Sequence, residues 1–148
     1  MAKIFFITAF VLLLAGCSEI DFEENVRTAN SDTFIDECKF DKADDWHFVY
    51  KTIRPSIVFI YSDGVEHCRQ QAEVFNNIAA LYGNGINFWA MEYDDAQSLL
   101  MFFNPTGRLP IYLYINQNCA QMLAPEHTSV SDMKKHIAEA FGIFPQTN

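Results

Sequence analysis

The stretch Ile57-Val-Phe-Ile-Tyr-Ser-Asp-Gly-Val-Glu-His-Cys68, running on to Tyr82, constrains the rest of the chain most. Residues 57–61 form a continuous apolar, β-branched and aromatic run, the pattern of a strand covered on both faces. Ser62-Asp-Gly64 breaks it. Apolar residues then recur at Cys68, Ala72, Phe75, Ala79 and Tyr82, alternately four and three apart. That spacing predicts an amphipathic helix over 69–82.

A chain of 148 residues is long enough for one domain with a substantial core and too short for two. Half of the residues are hydrophobic and 15% aromatic, including fourteen Phe, which excludes a disordered chain. The formal net charge is -9, and Lys and Arg do not cluster. Nucleic acid is therefore excluded as a partner, since nothing is present to neutralise its phosphates. Anionic lipid headgroups would repel the chain as well, so a membrane attachment has to be hydrophobic or covalent.

The amino terminus supplies a covalent one. After Lys3, residues 4–14 are apolar except for Thr8. The run falls short of the roughly 20 residues needed to span a bilayer and reads as the apolar region of a secretory signal. Leu14-Ala-Gly-Cys17 follows directly and resembles the lipobox of bacterial lipoproteins. The resemblance implies that residues 1–16 are a signal peptide and that Cys17 carries a diacylglycerol and an N-acyl chain such as palmitate. It places the protein in a bacterial cell envelope, facing the periplasm. Ser18 next to the acylated Cys resembles the enteric signal for the outer rather than the inner membrane. Residues 17–32 are acidic, with few apolar residues and no period, and read as a tether.

The domain is expected over 33–145. Residues 33–40 read as a first strand, and 41–54 as a helix with Trp46, Val49, Tyr50 and Ile53 on one face and Asp41 or Asp44 as its cap. The strand at 57–61 and the helix at 69–82 follow, ended by Gly83-Asn-Gly85. Further strands are predicted at 86–93, 111–115 and 119–123, with a short helix over 96–103. Ser129-Val-Ser-Asp132 has the pattern of a capping box opening a last helix, with Gly142 at its end.

This β-α-β-α-β-α-β-β-α order, with a buried strand, a turn and a helix opening on a Cys, resembles the thioredoxin-like superfamily. The resemblance implies an α/β fold with a central mixed sheet of 4–5 strands flanked by helices. In that family the turn carries Cys-x-x-Cys at the helix N-terminus; here those positions read Val65-Glu66-His67-Cys68. Arg108-Leu-Pro-Ile111 stands where the family has its Gly-Ile-Pro-Thr loop, which implies a cis peptide before Pro110; the alternative is a trans proline heading a strand.

Thiol–disulfide exchange starts from an exposed thiolate, which a helix N-terminus favours at the first Cys. Val65 offers no nucleophile, and Cys68 holds the place of the shielded second Cys. Phe59 stands where the family has a buried acid. His67 matches the His of strongly oxidising members, but the thiolate that such a His stabilises is missing; a half-exposed turn histidine is the simpler reading. A His67–Cys68 metal pair needs two more ligands, and His47, His127 and His136 show no close spacing to supply them. No metal and no cofactor are expected. Asp63, Glu66, Asp94 and Asp95 read as solvated turn residues.

With Cys17 acylated, Cys38, Cys68 and Cys119 remain. On the family topology Cys38 lies on an edge strand near the corner, nearly 10 Å from Cys68 and beyond the roughly 7 Å limit for a bridge. No intramolecular disulfide is expected, and a bridge to another chain is the alternative. The family's peptide groove would here have Tyr61, Val65, Glu66, His67, Leu109 and Pro110 as its walls. The chain is thus expected to be a lipid-anchored binding or scaffold component of an envelope assembly of secretion, conjugation or pilus type, with an envelope protein as partner. The alternative is a thiol–disulfide oxidoreductase of reduced repertoire that uses Cys68.

Overall fold

The structure, a computed structural model, describes residues 19–44, 48–103, 108–118, 120–123 and 128–145. In chain order the elements are β1 (Val26–Thr28), α1 (Ser31–Cys38), β2 (Asp41–Lys42), β3 (Phe48–Val49), β4 (Ser56–Tyr61), α2 (Glu66–Tyr82), β5 (Asn87–Glu92), α3 (Gln97–Leu100), β6 (Ile111–Ile115), β7 (Ala120–Leu123) and α4 (Val130–Phe141). A 3-10 turn, Tyr93–Ala96, leads into α3.

Five strands form one mixed sheet in the order β1-β5-β4-β6-β7. β1, β5 and β4 run parallel, while β6 is antiparallel to β4 and β7 to β6. β4 is central, and Ile57, Val58, Phe59 and Ile60 are all fully buried. Because successive side chains of a strand leave on opposite faces, β4 feeds two cores. Ile57 and Phe59 join Phe75, Ile78, Tyr112, Met133 and Ile137 beneath α2 and α4. Val58 and Ile60 join Phe34, Trp89, Leu99 and Leu113 beneath α1 and α3.

The strands at β4, β5, β6 and β7 and the helix α2 lie where the sequence predicts them, although α2 begins at Glu66 rather than 69. The capping box of α4 is formed: Ser129 Oγ accepts from the Asp132 N–H, and Asp132 Oδ2 accepts from the Ser129 N–H. Gly142 closes that helix at φ 66°, where a residue without Cβ is unstrained.

Three expectations fail, all before β4. Residues 33–40 are not a strand but most of α1. Asn30 caps that helix by accepting from the Thr33 N–H at 2.9 Å, and the buried Ser31, Phe34 and Cys38 fall on one helical face. Thr33 and Ile35, the β-branched residues that suggested a strand, are only half-buried. The described residues of 41–54 form no helix. They contain the β2–β3 hairpin, in which Asp41 pairs with Val49 and Lys42 with Phe48. Ile53, assigned to an apolar face, is 92% exposed, and Tyr50 is fixed instead by hydroxyl bonds to the Arg54 carbonyl (2.6 Å) and Ser56 Oγ (2.8 Å). Trp46 and His47 lie outside the described residues. Finally, the expected tether over 17–32 is part of the domain from Ile20 onward. β1 pairs with β5, and Ile20, Phe22 and Val26 contribute to the α2–α4 core. The alternation of strand and helix is as expected, but it starts one element earlier in the chain.

Candidate functional site

One end of the sheet gathers the residues singled out in the sequence. β4 ends at Tyr61, and the turn that follows closes with the Val65 N–H on the Ser62 carbonyl at 3.1 Å. Arg69 braces the turn from α2, donating through Nε and Nη2 to the Asp63 carbonyl at 3.3 and 3.2 Å. Val65 occupies the N-cap of α2 in an extended conformation. A valine has no oxygen to offer the orphan amides of the first turn, and no side-chain cap is formed. The β4–β6 register sets Ile60 against Ile111, so Pro110 enters β6 beside Tyr61. The Leu109–Pro110 peptide is cis, as the resemblance implies. Glu66 is exposed, Val65, His67 and Leu109 are half-buried, and Pro110 is buried.

Cys68 sits in the first turn of α2 and is fully buried. Burial pushes its thiol up, Asp63 adds to the effect, and the Ser62 backbone opposes it. Desolvation is the largest of these causes. Behind the thiol Tyr112 OH donates to Gln71 Oε1 at 2.9 Å, and Gln71 Nε2 donates to the Thr128 carbonyl at 3.0 Å, a buried column from sheet through α2. Phe59 is stacked on Phe75 at 5.1 Å and on Tyr61 at 5.8 Å. It fills the strand position where an acid would face the turn.

Tyr61 is half-buried. The Phe22 ring lies 5.0 Å from it, and its remaining surface opens on a cavity of about 300 Å³ shared with Thr28, Ala29, Asn30, Glu92 and Asp95. Burial, together with Asp63, Glu92, Glu19 and Asp95, pushes its hydroxyl up to about 12. Glu92 is raised too, first by desolvation and then by Asp63, Asp95, Asp94 and Glu19. Asp63, Asp94 and Asp95, set apart in sequence as turn residues, thus come within electrostatic reach of Glu92. Parallel pairing explains it: Tyr61 stands opposite Glu92, so the segments leaving β4 and β5 converge. Glu19 and Glu92 were not legible as members of that corner without the pairing.

Cys38 lies elsewhere than expected. It ends α1 and contacts Ser56, the first residue of β4, so it is separated from Cys68 by the length of that strand, about 16 Å at roughly 3.3 Å per residue. A bridge needs about 7 Å or less, and both cysteines are buried free thiols. Desolvation raises the Cys38 thiol against hydrogen bonding from Thr52, Ser56 and Tyr50. Near it Arg27 pairs with Glu37 and lies 4.6 Å over the Trp89 ring, beside a cavity of about 420 Å³ that sequence reasoning did not find. Among the described residues no group of three or more His, Cys, Asp and Glu is arranged to hold a metal, and no helix is long and apolar enough to cross a membrane. Cys17, His47, Cys119 and His127 lie outside the described residues.

No protein-family model and no curated protein matches this sequence. Solved structures do match. Chloroplastic thioredoxin z aligns with a TM-score of 0.62 at 10% identity, over 82% of this chain and 99% of that one. A chain of the ferredoxin:thioredoxin reductase and thioredoxin f2 complex aligns with a TM-score of 0.59 at 14% identity, over 78% and 94%. The fold is thioredoxin-like. At such identities the likeness extends to architecture alone, and type-specific target recognition is a property of thioredoxin z. In the thioredoxin-like frame the β4–α2 turn and the Leu109–Pro110 loop share one end of the sheet, and that end is the candidate site.

Proposed function

We propose that this chain is a lipid-anchored, periplasm-facing binding component of a bacterial envelope assembly, and that its thioredoxin-like domain performs no thiol–disulfide exchange. The observation that carries the reading is the state of the corner's sulfur. Val65 stands where an attacking thiolate would be needed, and Cys68 is fully buried with its thiol raised. Only binding is left to such a corner, with the half-buried Val65, His67 and Leu109 and the exposed Glu66 as its contact residues. Acylation of Cys17 and an outer-membrane destination follow from Leu14-Ala-Gly-Cys17 and Ser18. The class of assembly, of secretion, conjugation or pilus type, rests on analogy with other anchored domains of this fold.

Insulin reduction by dithiothreitol tests the central point. The soluble domain should leave the rate at that of dithiothreitol alone. A faster rate that Cys68→Ala abolishes would establish an oxidoreductase and overturn the reading. Replacing Cys17 with Ser should release the protein from membranes and stop acyl labelling.

A further inference from the structure

The segment between Cys17 and β1 is held down along its described length. The Ile20 N–H donates to Asp63 Oδ1 at 2.8 Å, on the turn of the candidate site itself. The Glu23 N–H donates to Asn76 Oδ1 at 3.0 Å, and Asn76 Nδ2 returns a bond to the Asp21 carbonyl at 3.2 Å, so one side-chain amide of α2 holds this strap through both its atoms. Between those bonds Phe22 inserts its ring against Tyr61 and Phe59, at 5.0 and 5.9 Å. The Val26 N–H then closes on the Glu23 carbonyl at 2.9 Å, and the chain passes directly into β1. Two half-buried apolar side chains and four hydrogen bonds in so short a stretch are not what a solvated linker shows.

Docking changes the reach of the anchor. If residues 17–26 were free, the chain between Cys17 and Val26 would extend to about 30 Å. With Ile20 fixed on Asp63, only three peptide units remain, about 11 Å at full stretch. We propose that the strap shortens the lipid anchor and holds the β4–α2 corner at the membrane surface, so that a partner engaged there is one lying at that surface. This rests on the acylation of Cys17 proposed above. The opposite end is carried away by α2, whose 17 residues extend about 25 Å. The carboxylates of Glu19, Asp63, Glu92, Asp94 and Asp95 at the corner oppose immersion among anionic headgroups, which leaves the corner on the surface rather than in it.

Paramagnetic relaxation in nanodiscs reads the orientation. Isotope-labelled, acylated full-length protein is bound to discs that contain a gadolinium-chelating headgroup lipid. With α2 spanning about 25 Å between the corner and residues 83–85, the amides of Asp63 and Gly64 should relax more than about tenfold faster than theirs. Equal relaxation at both ends would overturn the proposal. A glycine-serine spacer of twenty residues inserted between Ser18 and Glu19 leaves the fold untouched and should level the two ends; a difference that survives the spacer would also overturn it. Phe22→Ser, which undocks the strap, should act like the spacer wherever the variant still folds. Flotation of the same samples separates the two readings: protein that does not float refutes the anchor and the orientation with it, whereas floating protein with level relaxation refutes the orientation alone.

Discussion

The two ends of β4 each bury a cysteine, and they do it in opposite surroundings. At the Ser56 end the Cys38 thiol is met by the hydroxyls of Thr52, Ser56 and Tyr50. At the Tyr61 end the Cys68 thiol lies at a helix N-terminus, with the Ser62 backbone as its one stabilising partner and Asp63 against it. Polar neighbours favour a thiolate at the first end and a helix dipole favours it at the second, yet both thiols are raised, and in both cases desolvation is the largest cause. A helix N-terminus or a set of polar neighbours does not by itself lower a thiol's pKa where burial opposes it. Both ends of β4 bury their sulfur alike.

The largest test of that comparison is Phe59→Ala. If the Tyr61 end is a packed core, removing the ring stacked on Phe75 and Tyr61 should cost about 3–5 kcal/mol in urea unfolding. A cost below about 1 kcal/mol would mean a loosely filled corner with room for a ligand. At the other end Ser56→Ala removes the acceptor of the Trp89 Nε1–H (3.1 Å) and the partner of Tyr50 OH. A stranded buried donor should cost about 1–3 kcal/mol, measured the same way. If Ser56→Ala costs more than Phe59→Ala, the roles of the two ends are reversed. The smallest difference is expected between the thiols themselves. Iodoacetamide should label Cys38 and Cys68 of the folded protein slowly and within a few-fold of each other, with rates still rising above about pH 9, because a raised pKa keeps the thiolate scarce below it. A Cys68 rate that levels off below pH 8 would break the comparison and revive the oxidoreductase.

What the sequence made legible follows the strength of its periodic signals. β4 and α2 are long enough for their apolar spacing to be unmistakable, and α4 announces itself by a capping box whose hydrogen bonds are all formed. The elements before β4 lack such signals. α1 is decided by the Asn30 cap and three buried residues, against two β-branched neighbours that argue for a strand. β1 buries Val26 alone while Arg27 and Thr28 face out, and β2 and β3 have two residues each, too few to display a period. At the candidate site the turn, the helix and the cis Pro110 were readable. The docked strap was not, since Ile20 and Phe22 are lone apolar residues in an acidic stretch and their partners lie far along the chain.

That remoteness has a consequence for how the molecule assembles. β1 takes its place only by pairing Val26 with Phe88, and the strap bonds join residues 43, 53 and 55 positions apart. Contacts of such long sequence separation carry a large loop-closure entropy. The part of the domain synthesised first is therefore left without its partners until α2 and β5 have followed it.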